Sequence, residues 1–397
     1  LTRLERNWKR PMTERVSQII GQALFDADTL LTYVPATGGQ GIHNHFCSLS
    51  PLRYPFSFHE EVAFTLAHGA ALTGKRACAM MKGHGLAKAA NSVVDALFAG
   101  TTAGLVILIL EDSLGKHSDS ILNSAPLLTG MGVPFRHTRK DSMREIIFFA
   151  FAESERLGLP VAVIVDSDEM EQDVSPSEAT PPPCEKKYIR DITRHILCPS
   201  FGAYQYEVLR AKRTGQSIDA LLKPTVPAIP DDLPDKWKPA MSRYIPLFSV
   251  FRDFRGNVVA ADTGITCLFG CPPFDCVDLT TYMGGSVSLA IGAYLAGHKT
   301  VWAVTGDFSF IAAGHLGVNE AIQRNIPLKV LLFDNGKAET TGGQVIPEGT
   351  LERTLAPYGN HIIRINNPGD PEVVRTSLQA AAASETLAIV VADYRER

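Results

Sequence analysis

A chain of 397 residues with 45% hydrophobic and 20% charged residues can bury two or three cores and does not have the composition of a disordered protein. A formal charge of −4 gives no basic footprint, which excludes nucleic acid as the main partner. The longest apolar run, LVILIL at 105–110, is far short of the ~18 residues of a membrane span and excludes a membrane protein. Seven scattered cysteines point to reduced thiols and a cytoplasmic location, and the charged opening LTRLERNWKR lacks the apolar core of a signal peptide.

In chain order, a strand at 32–34 leads into the loop PATGGQG. A helix follows Glu60 in HEEVAFTLAHGAALTG, with Ala63, Ala67, Ala70 and Ala71 spaced for a closely packed face. Residues 77–81 read as a strand, 89–100 as a helix and 105–110 as a buried strand. The polar loop EDSLGKHSDS precedes a helix over 144–157 and the strand PVAVIV at 160–165. Past Val174 the composition changes: SPSEATPPPCEKK suits a linker, AYQYEVLRAKRTGQSIDALL a polar helix, and 223–246 is again dense in proline. The alternation then restarts. A strand at 258–261 enters DTGITCLFG, and MGGSVSLAIGAYLAG forms a helix dense in small residues. A strand at 300–304 runs into GDFSF, a helix spans about 313–324, and the strand at 328–333 ends in DNGK, with a last strand at 387–392. The expected fold is α/β, with two doubly wound parallel-sheet lobes at 1–174 and 246–397 joined by a proline-rich helical arm at 175–245.

Two strand ends carry the chemistry. TGDFSF contributes Gly306 and the carboxylate of Asp307; FDNGK contributes the amide oxygen of Asn335 and the Lys337 carbonyl. Ligands of open α/β sheets collect at the C-terminal ends of strands, and hard oxygen donors of this kind suit Mg²⁺ bound together with phosphate oxygens. Either motif alone is ordinary turn chemistry; the pair, separated by one helix and one strand, predicts a metal–diphosphate site. Cys267, Cys271 and Cys276 have neither a C-x-x-C pair nor a fourth ligand, so they read as loop thiols near the substrate and not as a metal site.

GD followed by an asparagine a helix and a strand later resembles the signature of the thiamine-diphosphate enzyme superfamily. Here Phe308 follows GD and Asp334 stands where an asparagine is usual. The resemblance assigns Asp307, Asn335 and Lys337 to the metal. It places thiamine diphosphate against Thr37, Gly306, Phe308 and Ser309, with Met283 under the bent cofactor and Gly284 and Gly285 beside its pyrimidine. It makes Glu60 the carboxylate that activates the cofactor through the pyrimidine N1′, and His84 and His117 candidates for proton transfer on the substrate.

Over most of its length the chain resembles the thiamine-binding subunit of indolepyruvate-type 2-oxoacid:ferredoxin oxidoreductases, through HEEVAFTLAHGAALTGKRACAMMKGHGL, VILILEDSLGKHS and DNGKAETTGGQ. No cysteine-rich ferredoxin module follows AIVVADYRER. The expectation is therefore a non-oxidative enzyme acting on a 2-oxoacid, aromatic ones included. It would decarboxylate or ligate, with a second carbonyl as acceptor, through a carbanion–enamine, as the compact phosphonopyruvate and sulfopyruvate decarboxylases suggest. The alternative is an oxidoreductase component with a separate Fe–S partner. The resemblance also implies a homodimer or dimer of dimers with shared sites, and Phe56, Phe58, Phe269 and Phe274 are candidates for an apolar substrate pocket.

Overall fold

A computed structural model describes residues 13–50, 55–138 and 142–395. The charged opening segment lies outside them. Helices α1 (Val16–Asp26) and α2 (Gly39–Leu49) flank the first strand, β1 (Leu30–Tyr33). Helix α3 (Glu60–Leu72) leads to β2 (Ala77–Lys82), and α4 (Ala90–Ala99) to β3 (Leu105–Glu111). Then come β4 (Phe135–His137), α5 (Met143–Leu157) and β5 (Val161–Asp166). The five strands are parallel, in the order β1-β2-β3-β5-β4. Helix α2 begins inside the stretch read from sequence as a loop: Gly38 supplies the left-handed turn (φ 84°) that starts it.

The arm contains α6 (Pro199–Thr214), followed by α7 (Lys238–Phe251). The boundary read at 245/246 falls inside α7, whose Phe248 and Phe251 are buried in the second lobe's core. The second lobe holds β6 (Val258–Asp262), β7 (Leu279–Thr281), α8 (Ser286–Leu295) and β8 (Val301–Gly306). It continues with α9 (His315–Gln323), β9 (Lys329–Asp334), β10 (Ile362–Ile365), α10 (Pro371–Ala383) and β11 (Ala388–Asp393). Its parallel order is β7-β6-β8-β9-β11-β10. With the edge strand β7 set aside, this is the first lobe's order again.

Alternation within strands builds a layered core. In β3, Leu105, Ile107 and Ile109 face the seam between the lobes, and Val106, Leu108 and Leu110 face the outer helices. In β9, Val330 and Leu332 face the seam and Leu331 and Phe333 the other side. Helices therefore cover both faces of both sheets, as a doubly wound fold requires. Helices α3 and α8 occupy matching places, each between the first and second strands of its lobe's shared order, and they cross at the seam. A Cβ on Gly69 would lie 2.1 Å from the Leu289 carbonyl oxygen, and one on Gly292 2.1 Å from that of Leu66. Only glycine permits so close a crossing, which explains the small residues seen in both helices.

The arm is pinned to the second lobe by Arg190, whose guanidinium donates to the Gly270 and Val277 carbonyls (2.7 and 2.8 Å) and pairs with Asp278 at 2.9 Å. Among the described residues no helix is long and apolar enough to cross a membrane, and no disulfide joins the seven cysteines.

Candidate functional site

The parallel neighbours β8 and β9 end side by side, Gly306 opposite Phe333, so the residues after them share one crevice. Asp307 accepts the Phe308 N–H (2.7 Å) on one carboxylate oxygen and the Gly336 N–H (2.6 Å) on the other. Burial, with Asp334 adding to it, pushes its carboxyl up to about 6. The Asn335 amide oxygen accepts from the Lys337 N–H at 3.1 Å; its nitrogen donates to the Tyr244 hydroxyl and to Glu339, both at 3.1 Å. Gly306, Phe308, Ser309, Lys337 and Met283 also line the crevice. A Cβ on Gly306 would meet nothing within 4 Å, so the crevice is open above it.

Behind the crevice, Asp262 at the end of β6 accepts from the Thr305 hydroxyl (2.5 Å) and the Ser286 N–H (2.9 Å), and burial raises it to about 6. The helical path after β8 starts at Asp307, through one turn (Asp307–Ser309) and a π-turn (Phe310–Gly314), and not at 313 as the periodicity suggests. The positive end of that path therefore lies at the crevice itself. Among the described residues no three His, Cys, Asp or Glu side chains group to hold a metal. A cation here would rest on one carboxylate, an amide or backbone oxygen, and oxygens brought by its ligand. That donor set fits Mg²⁺ with a diphosphate.

Sequence reading missed Tyr244 and Glu339. Glu339 accepts the Tyr244 hydroxyl at 2.8 Å and pairs with Arg243 at 3.4 Å. It lies two residues beyond Lys337, just outside the DNGK motif; Tyr244 comes from the arm side of α7, a placement no local pattern announces. Gly284 and Gly285 have a packing reason within the chain. Gly284 has φ 89°, and a Cβ there would lie 2.6 Å from the Ser309 carbonyl oxygen; one on Gly285 would lie 2.6 Å from the Tyr282 ring.

The first-lobe candidates gather elsewhere. Glu60 opens α3, pairs with Lys88 at 3.0 Å and packs against Gly85. His84 bonds the Ser120 hydroxyl at 2.8 Å, and His117 lies 4.0 Å from Asp168. The Thr37 carbonyl accepts from Ser167 at 3.2 Å. All four sit at the C-terminal edge of the first sheet. Within one chain none of them lines the second lobe's crevice.

A cavity of about 630 Å³ adjoins the crevice and shares Thr263, Gly264, Ile265, Met283, Thr340 and Thr341 with it. Its far walls are Asp95 and Phe98 from α4, Leu197 and Trp237 from the arm, and Cys267 and Leu268. Gln205 lines it too and fixes the arm by donating to the carbonyls of Thr193, Arg194 and Ile196 (3.1, 3.2 and 2.9 Å). The four phenylalanines suggested by sequence are not in it. Phe56 and Phe58 form an exposed edge-to-face pair, and Phe269 stacks on Phe248 in the core with Phe274 against it. Of the three clustered cysteines, Cys267 alone reaches the cavity; Cys271 and Cys276 are core residues.

Comparison with known proteins bears on the fold and on the second lobe. Residues 271–392 match the family described as "Thiamine pyrophosphate enzyme, C-terminal TPP binding domain". A curated relative, the indolepyruvate oxidoreductase subunit IorA of Methanothermobacter thermautotrophicus, is 27% identical over 156 residues, and the match spans 36% of this chain and a quarter (25%) of that protein. A solved structure from Mycobacterium smegmatis, described as a thiamin diphosphate-dependent enzyme, superposes with a TM-score of 0.66 at 13% identity, covering 97% of this chain and 100% of that one. Benzoylformate decarboxylase from Polynucleobacter necessarius superposes with a TM-score of 0.64 at 11% identity, covering 97% and 99%. The chain thus has the two-lobe parallel-sheet fold of these thiamine diphosphate-dependent structures, and residues 271–392 of its second lobe match the C-terminal TPP-binding domain.

Proposed function

We propose that this protein is a thiamine diphosphate- and Mg²⁺-dependent enzyme that decarboxylates a 2-oxoacid or joins it to a second carbonyl, without an external oxidant. One observation carries the reading: the oxygen-lined crevice at Asp307 and Asn335 opens into a largely apolar cavity beyond Met283. Asp307 and Asn335, with the Lys337 backbone, would hold the metal, while Gly306, Phe308 and Ser309 would face the diphosphate. Bound thiamine diphosphate supplies the nucleophilic carbon that adds to a keto carbon and accepts the electrons left when CO₂ departs. The chain's own part is to orient, desolvate and move protons. Glu60 would hold a proton at the pyrimidine of a cofactor bound on a second copy, since within its own chain it lies away from the crevice. His84 and His117 would then face that second copy's substrate, in a homodimer with shared sites. The benzoylformate decarboxylase likeness is in keeping with non-oxidative chemistry on an aryl 2-oxoacid.

The similarity to IorA favours a second reading, a component that passes electrons to an Fe–S partner. The purified chain with thiamine diphosphate and Mg²⁺ is incubated with phenylpyruvate, indolepyruvate, benzoylformate and pyruvate. CO₂ release without an electron acceptor is expected. Turnover only on addition of a viologen dye would overturn the non-oxidative reading, and failure to bind thiamine diphosphate at all would overturn both.

A further inference from the structure

The cavity beside the crevice has one carboxylate in its wall, and neither the metal crevice nor the proton chemistry uses it. Asp95 and Phe98 are three residues apart on α4, so they share a helix face, and that face forms the first lobe's contribution to the cavity. The remaining walls are mostly apolar: Leu197, Trp237, Ile265, Leu268 and Met283. Among the described residues no lysine or arginine pairs with Asp95. Its partners are the Thr281 hydroxyl, at a long 3.5 Å, and the Tyr282 backbone N–H. Burial raises its carboxyl to about 6, and the nearby Glu61 adds to the effect. An ionised group so placed is under-satisfied, because two contacts from the end of β7 do not use up a carboxylate's acceptor capacity.

We infer that Asp95 is a specificity-determining residue that accepts a hydrogen bond from an N–H or O–H group on the far end of a bulky, otherwise apolar 2-oxoacid side chain. The inference rests on the proposed 2-oxoacid reading of the neighbouring crevice. The volume, about 630 Å³, falls within the usual range of small-molecule sites and accommodates an aromatic ring system. A site built to accept a hydrogen bond discriminates strongly against an analogue lacking the donor, because its own polar group is then left unpaired. The preference therefore runs toward hydroxyphenyl- or indole-like side chains over plain phenyl or N-methylindole ones. Asp95 also belongs to the same chain as the crevice it serves, whereas the proposed activating Glu60 comes from a second copy.

The test uses inert saturated acids, so that binding is read apart from turnover. The chain loaded with thiamine diphosphate and Mg²⁺ is titrated with 3-(4-hydroxyphenyl)propionate against 3-phenylpropionate, and with indole-3-propionate against its N-methyl derivative. Calorimetry follows the binding. Each donor-bearing ligand is expected to bind about tenfold tighter, the scale of one hydrogen bond to a charged group. Asp95→Asn keeps one acceptor oxygen but loses the charge and the second acceptor; Asp95→Leu loses every acceptor. Both variants should bring each pair of affinities together while leaving thiamine diphosphate binding within about twofold. Equal affinities in the wild type, or no binding of either acid to the cofactor-loaded chain, overturn the inference. A preference that survives in Asp95→Asn and Asp95→Leu does the same. Because cofactor binding is measured first, a chain that never takes up thiamine diphosphate instead overturns the reading beneath it.

Discussion

The two lobes repeat one strand order and use its equivalent positions differently. After β8, Asp307 sits in an open crevice with backbone N–H groups as its partners. At the matching end of β2 stand Lys82 and His84, which bond Ser118 and Ser120 of the loop after β3. At the end of β9 stand Asp334 and Asn335; at the end of β3, Glu111 and Asp112. Asp112 accepts the Lys116 and His117 N–H groups at 2.9 and 2.7 Å. The first lobe thus fills its strand-end crevice with its own loop, EDSLGKHSDS, while the second leaves the crevice open. One scaffold yields a lobe with an open strand-end crevice and a lobe whose strand-end side chains are tied down by its own loop.

The largest expected effect separates these strand ends. Asp307→Asn should weaken Mg²⁺-supported thiamine diphosphate binding by roughly two orders of magnitude or more, beyond the ~10–100-fold of an outer-shell change. Asp112→Asn, its first-lobe counterpart one strand over, should leave that affinity unchanged within about threefold and loosen only its own loop. Calorimetric titration of both variants decides it, and equal losses would mean that the two strand ends do not differ in role.

Comparable in size, but on rate and not on affinity, is the effect at Glu60. Glu60→Gln should lower kcat by about 10²–10⁴ with cofactor affinity nearly intact, the usual scale of general acid–base loss. Co-purified mixtures of Glu60→Gln and Asp307→Asn chains sharpen the point. If sites are shared between copies, a mixed dimer retains one site with both native groups, and activity returns. If each chain carried a complete site, every site in the mixture would be defective and nothing would return.

A smaller effect tests the seam where α3 meets α8. Gly69→Ala forces a Cβ onto the Leu289 carbonyl and should cost about 1–3 kcal/mol, read as a lowered Tm. At Gly130, in the short helix Ser124–Met131, a Cβ would meet nothing within 4 Å, so Gly130→Ala should instead gain about 0.5–1 kcal/mol. Glycine is structural at the seam and incidental on the first lobe's surface.

Much of this is legible in the sequence because period and punctuation are strong. LVILIL, PVAVIV and the strand before DNGK are buried on both faces, and each is readable within two residues of its observed bounds. The pair GDF and DNG points to one crevice because parallel neighbours must end together. What stays hidden depends on distant segments. Asp95 looks like an ordinary polar position in a helix until the arm and the loop after β6 close around it, and Tyr244 and Glu339 meet only through the packing of α7 on the second lobe. The repeated strand order is equally invisible, since the lobes share topology without a repeated sequence. Phe269 and Phe274 mislead because an aromatic beside a loop is as well suited to a core as to a pocket.

The mildest perturbation, pH, should set the buried histidines against a buried carboxylate. His68 of α3 is fully buried, bonds the Gly100 carbonyl at 3.0 Å, and is held down to about 4 by desolvation; His195, stacked on Tyr188 at the arm, is held down to about 3. Unfolding frees both to their ordinary value near 6.5, so below that pH the unfolded chain binds more protons and stability falls with acid, until the folded values are reached. Asp262 has the reverse sign. Burial raises its folded value to about 6 against 3.8, so between those values the folded second lobe binds the extra proton and gains stability as pH falls. His68→Gln, which keeps a donor for Gly100, should therefore flatten the decline in Tm between about pH 6.5 and about 4. Asp262→Asn, which removes the opposing gain, should steepen it. Should the two variants change the slope in the same direction, the buried histidine and the buried carboxylate do not oppose each other as their surroundings dictate.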